Sequence, residues 1–222
     1  MRIIDIETWN RRKQYENFIS YTNPVFSVGT TVDVTGLVEL CRKNKISFFS
    51  AFLYVITKCS NKVPEMRLRI KGENVIQFDA VHPSYVVLCE GDELKTCVTY
   101  ANDDFLMFYQ NSRKDIANVR SRESQAYNEG VDNDVLYVSC IPWIRLNSIS
   151  NPYNLLDKEQ SSIPRITWGK YYLNGERYEI YLDIAAHHAL VDGVHVAQLV
   201  QMIEEELTSI DFNLEGGVDN ER

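Results

Sequence analysis

The residues best suited to chemistry crowd into one stretch, Ile184-Ala185-Ala186-His187-His188-Ala189-Leu190-Val191-Asp192-Gly193, with His195 just beyond it. Three kinds of chemistry compete for it. Histidine and aspartate are both zinc ligands. At a strand end, however, successive side chains point to opposite faces, so one ion does not readily take both His187 and His188. No second His or Cys cluster supplies the missing ligands, and no metal is expected. A structural reading makes the pair the end of a strand, with Asp192 capping the next helix and Gly193 easing the turn. Acid–base catalysis is the third reading. A neutral imidazole whose tautomer is fixed at one nitrogen can take a proton from a hydroxyl at the other, and a strand end followed by a tight turn mounts it rigidly. From these residues alone the structural and catalytic readings both stand.

The elements that must carry this stretch follow from periodicity and turn chemistry. Ile163 to Tyr172 and Tyr178 to Ala186 read as two strands around an Asn174-Gly175 turn. Asp192-Gly193 opens a helix that places Val196, Leu199, Val200, Ile203 and Leu207 on one face. Upstream, Phe26 to Val34 is a β-rich run ending at Thr35-Gly36, with a short helix over Leu37 to Lys43. Ser47 caps a second helix whose Phe48, Phe52, Val55, Ile56 and Cys59 make an apolar stripe. Met66 to Ile70 and Asn74 to Phe78 flank Lys71-Gly72-Glu73 as a hairpin. Tyr85 to Cys89 and Leu94 to Tyr100 form a second pair, and Asp103 to Tyr127 reads as the longest helix. Val135 to Cys140 is a further strand, ending at Ile141-Pro142-Trp143. Strands interleaved with helices, several joined by hairpins, predict an α/β two-layer sandwich. Its sheet should be mixed but largely antiparallel, with helices on one face.

Composition narrows the class. The chain has 222 residues, 45% of them hydrophobic, which is enough for one sizeable core and short for two. A single domain over 1–214 is expected, with 215–222 a frayed tail. Asp and Glu total 31 against 23 Lys and Arg, a formal charge of -8 without a long single-sign block, which argues against a nucleic-acid partner. Cys41, Cys59, Cys89, Cys97 and Cys140 are odd in number and widely spaced, as reduced thiols would be. No signal-peptide pattern opens the chain and no run approaches the length of a membrane span, so a cytoplasmic protein without a membrane partner is expected.

His187-His188-Ala189-Leu190-Val191-Asp192-Gly193 resembles the His-His-x-x-x-Asp-Gly signature of chloramphenicol acetyltransferases. Dihydrolipoyl acyltransferase catalytic domains and peptide-synthesis condensation domains share it more loosely. Trp9-Asn10-Arg11, Pro142-Trp143 ahead of Ser148, and Thr167-Trp168-Gly169-Lys170-Tyr171 extend the similarity from about Trp9 to Leu207. The resemblance implies a coenzyme A-dependent acyltransferase-like fold and acetyl transfer from acetyl-CoA to a hydroxyl of chloramphenicol. It implies His188 as general base and Ser148 as the hydroxyl donor to the tetrahedral oxyanion. It also implies Asp192 paired with Arg11 to hold the active-site backbone, Thr167 ordering a water, and Lys170 and Tyr171 lining the coenzyme A channel. Acetyl-CoA would be a co-substrate, with no permanently bound cofactor. The protein would be a homotrimer with active sites at subunit interfaces, His188 coming from one chain and much of the acceptor pocket from the next. Asn17, Thr22, Pro24 and Leu94 depart from the family's acceptor-pocket pattern, which leaves another small hydroxyl compound, or an idle binding protein on the same fold, as alternatives.

Overall fold

The computed structural model of the chain describes residues 1–121 and 133–212. The main sheet begins with β2 (Val25–Asp33) and also contains β5 (His82–Leu88), β6 (Leu94–Val98), β7 (Val135–Ile141), β8 (Arg165–Gly169), β9 (Tyr172–Asn174) and β10 (Arg177–His187). Its order is β2-β10-β8-β7-β5-β6, with β9 an extra strand on β10. Pairing is antiparallel except for β5–β7 and β7–β8, which are parallel. A smaller antiparallel sheet joins β1 (Arg2–Ile4), β4 (Asn74–Gln77) and β3 (Leu68–Lys71). The expected two-layer, largely antiparallel α/β architecture is therefore present.

Alternation along the strands decides which face the helices cover. Ile180, Leu182, Ile184 and Ala186 of β10, Ile166 and Trp168 of β8, and Leu136 and Val138 of β7 point into one buried core. Against them pack α2 (Thr35–Asn44), α3 (Phe48–Lys62), α4 (Phe105–Ser121) and α6 (Gly193–Thr208), while the one-turn α5 (Lys158–Ser161) precedes β8. Ser47 caps α3 as its sequence position demands, accepting from the Ser50 N–H at 3.4 Å. The Trp168 ring meets Phe52 edge-on at 5.0 Å, fixing sheet against helix with the geometry aromatic quadrupoles prefer. α4 is the longest helix among the described residues; the stretch 122–127 that the periodicity adds to it lies outside them. So do 213–222, which hold the expected tail.

Three local departures have physical causes. The strand expected over Ile163 to Tyr172 is broken into β8 and β9, because the Lys170 N–H turns aside to the Ile144 carbonyl at 2.8 Å. Backbone presses so closely there that a Cβ on Gly169 would lie 2.9 Å from the Leu146 nitrogen. The turn that follows is Gly175-Glu176, since Asn174 already pairs with Arg177, and Gly175 takes the left-handed φ of 60° that glycine tolerates. At the N-terminus, β1 and the helix α1 (Arg12–Phe18) arise without a sequence expectation. A three-residue strand and a helix with no fully buried residue leave almost no periodic signal.

Candidate active site

His188 sits where β10 ends and a tight turn begins. Its N–H donates to the Pro24 carbonyl at 2.8 Å, while Leu190 and Val191 N–H groups close the turn onto the His187 carbonyl at 2.9 and 3.0 Å. The imidazole is stacked on Phe18 of α1, with centroids 3.9 Å apart and planes within 9°, and it leans on Phe26 of β2 at 4.6 Å. Nδ1 is buried and lies 3.2 Å from Asp192 Oδ1, off-axis for a hydrogen bond. With Nδ1 turned inward and the side chain one-third exposed, Nε2 is the nitrogen left to meet a substrate.

Asp192 is held from two sides. Its Oδ2 accepts from Arg11 Nη1 across 181 residues of sequence, and its own N–H donates to His195 Nδ1 at 2.9 Å. Burial pushes the Asp192 carboxyl up, but the hydrogen bond and charge of Arg11, with His188 and His195 behind them, bring it below its ordinary value. Asp192 occupies the N-cap position of α6 in a capping box with His195, and its carboxylate pairs with Arg11 and lies against His188. Gly193 has ordinary φ and open space where a Cβ would go, so no steric demand of the turn requires glycine there.

His187 points the other way, as period-2 alternation requires. It is 1% exposed, its Nδ1 accepts the Ala189 N–H at 3.2 Å, and its Nε2 has no partner among the described residues. Burial first, then the charges of Lys158 and His188, push its pKa down to about 4.

The remaining candidates lie elsewhere. Thr167 is buried on the helix-free face of β8, and its hydroxyl donates to Asn151 Oδ1 at 3.5 Å. It opens on a cavity of about 320 Å³. Ser148, the expected oxyanion donor, does not reach this cavity; it is exposed in the connection after β7. The cavity holds another serine, Ser139, which sits directly beside Thr167 in the parallel β7–β8 register. The sequence signal for Ser139 is the alternation Tyr137-Val138-Ser139, which puts Val138 in the core and the serine on the opposite face. Reading Val135 to Cys140 only as a continuous β-type strand hides it. Lys170 is exposed at the break between β8 and β9. Tyr171 packs on Phe48 at 4.8 Å and on Tyr178 at 5.7 Å, and with Arg42 it lines a separate cavity of about 230 Å³. Of the divergent pocket positions, Asn17, Thr22 and Leu94 are exposed and Pro24 lies buried beneath His188.

Sheet register fixes how far apart these groups are. Ser139, Thr167 and Asp183 form one row across β7, β8 and β10. His187 lies four positions further along β10. At about 3.3 Å per residue and 4.8 Å per strand, roughly 16 Å separates the backbone of His187 from that of Ser139, and His188 lies beyond His187. Groups acting on one reacting atom must each lie about 3 Å from it. Within one chain, therefore, His188 and the Ser139–Thr167 pair do not meet.

Comparison with solved structures shows which class of fold this is. A chloramphenicol acetyltransferase superposes with a TM-score of 0.84 at 26% identity, covering 93% of this chain and 99% of that one. A dihydrolipoamide acetyltransferase of Azotobacter vinelandii shares the fold at a TM-score of 0.68 and 15% identity, over 90% of this chain and 86% of that one. The architecture is that of the acetyltransferases. The sequence profile of the chloramphenicol acetyltransferase family matches residues 1–204, and the chain belongs to that family. A chloramphenicol acetyltransferase of Escherichia coli is similar at 29% identity over 204 residues, 91% of each chain.

Proposed function

We propose that the protein transfers an acetyl group from acetyl-CoA to a hydroxyl of chloramphenicol, the acceptor named for its relatives. The carrying observation is the imidazole of His188, clamped between Phe18 and Phe26 with Nδ1 against the Arg11-held carboxylate of Asp192. Nε2 takes the proton of the acceptor hydroxyl as its oxygen attacks the thioester carbonyl carbon. The carbonyl electrons move to oxygen, where a hydroxyl donor stabilises the tetrahedral oxyanion. Collapse breaks the C–S bond, the imidazolium returns its proton to the thiolate, and ester and free coenzyme leave. Asp192 and Arg11 hold the turn that carries the imidazole. Acetyl-CoA is consumed in each turnover as co-substrate.

The oxyanion donor is better assigned to Ser139 than to Ser148, because Ser139 shares the Thr167 cavity. Thr167 is then placed to hold a water beside it. Since His188 and Ser139 lie too far apart within one chain, the working site takes His188 from one copy and the cavity from a neighbour. That arrangement agrees with the homotrimer implied by the family resemblance. Lys170 and Tyr171, at the break between β8 and β9, are candidates to contact coenzyme A.

Thiol release from acetyl-CoA in the presence of chloramphenicol tests the proposal. Wild type should release coenzyme A only when acceptor is present, and His188→Ala should lower turnover by at least about 10³-fold while the chain stays folded. Equal turnover by His188→Ala would remove the imidazole from the mechanism. A different hydroxyl acceptor, or a binding protein without turnover, remains the reading if chloramphenicol is not acetylated.

A further inference from the structure

The cavity beneath Ser139 and Thr167 is lined by polar groups, among them Ser84, Thr96, Tyr137, Asn151, Gln160 and Arg165. Among the described residues Arg165 is its one charged lining residue, in a protein of formal charge -8. The guanidinium is held in place by aromatic faces, 4.0 Å from the Tyr153 ring centroid and 5.5 Å from that of Tyr137, and Nη1 donates to the Pro152 carbonyl. No carboxylate forms an ion pair with it among the described residues. Asp183, on the same face of the neighbouring strand, spends Oδ2 on the Ser27 hydroxyl at 2.6 Å, while its Oδ1 is buried without a partner among the described residues and burial pushes the carboxyl pKa up. Two further donors beside it, Arg165 Nε and Asn151 Nδ2, are buried with no partner among the described residues. A fixed cation and unsatisfied donors lining one cavity favour an anion that can take several hydrogen bonds at once.

From these groups we infer that the acceptor site accepts, besides chloramphenicol, small alcohols that carry a carboxylate, with Arg165 as the residue that binds it. The inference rests on the acetyl-transfer reading above and adds the substrate class. Spacing sets the geometry. Arg165 is two residues from Thr167 on the same face of β8, so the backbone that carries the guanidinium lies about 7 Å from the row of hydroxyls where transfer takes place. A hydroxyl and a carboxylate separated by a benzene ring span that distance.

4-(Hydroxymethyl)benzoate and 4-(hydroxymethyl)benzamide make a matched pair, alike in shape and differing in charge. Acetylation of each, followed by coenzyme A release and product mass, should give a kcat/KM for the benzoate about 10- to 100-fold above that for the benzamide, the range expected for a charge-assisted contact. In Arg165→Gln that ratio should fall close to one, and in Arg165→Lys it should be intermediate, since ammonium keeps the charge without the fork. Calorimetric binding of the two compounds to the His188→Ala protein reads the anion site without turnover. If chloramphenicol is acetylated but benzoate and benzamide are bound and acetylated alike, the inference falls and acetyl transfer stands. If no alcohol is acetylated yet benzoate alone binds, and Arg165→Gln abolishes that binding, the anion site stands and the acetyl-transfer reading falls. Should Arg165→Gln fail to fold, the wild-type ratio decides by itself.

Discussion

Two adjacent histidines of identical chemistry have unlike environments. His188 is a third exposed with Nε2 outward, whereas His187 is buried, and its pKa is pushed down to about 4. Because the folded state holds His187 neutral, its contribution to stability is complete above the ordinary value of 6.5 and is lost as pH falls toward about 4. That contribution amounts to at most about 3 kcal/mol. Urea-unfolding free energies should therefore fall between pH 6.5 and 4, and His187→Gln should flatten the slope in that window. Parallel slopes for wild type and variant would contradict a neutral buried imidazole. The two serines are separable in the same manner. Ser139→Ala should lower kcat by roughly 10²- to 10³-fold with little change in KM, as loss of an oxyanion donor does, while Ser148→Ala should stay near wild type. The reverse outcome would return the role to Ser148.

At the scale of elements, positions depend on where backbone runs close to backbone. Gly169 ends β8 against the 144–146 segment, where an added Cβ would sit 2.8 Å from Leu146 Cγ and 3.1 Å from the Ile144 carbonyl oxygen. Backbone cannot step aside as a flexible side chain can. Gly169→Ala should cost about 1–3 kcal/mol and lower the melting temperature by roughly 3–10 °C. An unchanged melting curve would show that the segment has room to move. The same close approach explains an error of the sequence reading. The stretch Ile163 to Tyr172 reads as one strand leading to the Asn174-Gly175 turn, and the hydrogen bond from Lys170 to Ile144 that interrupts it depends on a segment distant in the chain. α6 was legible from spacing alone, because its buried Val196, Leu199, Ile203 and Leu207 recur with the period of the helix itself.

For the whole molecule, the decisive quantity is the gap between His188 and the Ser139–Thr167 row. If the site is built from two copies, His188→Ala and Ser139→Ala chains are each inactive, yet mixing them creates interfaces with one intact histidine and one intact serine. With random assortment of the two variants, about a quarter of the interfaces are intact, so refolding an equal mixture should restore about that fraction of wild-type turnover. Each variant refolded alone should stay inactive. No recovery on mixing would place both groups in one chain and overturn the register argument.

The paired histidines at a strand end and Asp192 four residues on could be read in the linear chain because residue type and local spacing are properties of sequence itself, whereas Arg11 and Thr167 were named only through the family resemblance. Even the strand-end mount of His188 followed from the alternation of β10. The tertiary structure decided which serine and which cation share a cavity with Thr167, and that His188 lies far from both. Those relations depend on the order in which strands pair, β10 to β8 to β7, and hydrogen bonds between strands distant in sequence leave no periodic trace in the chain.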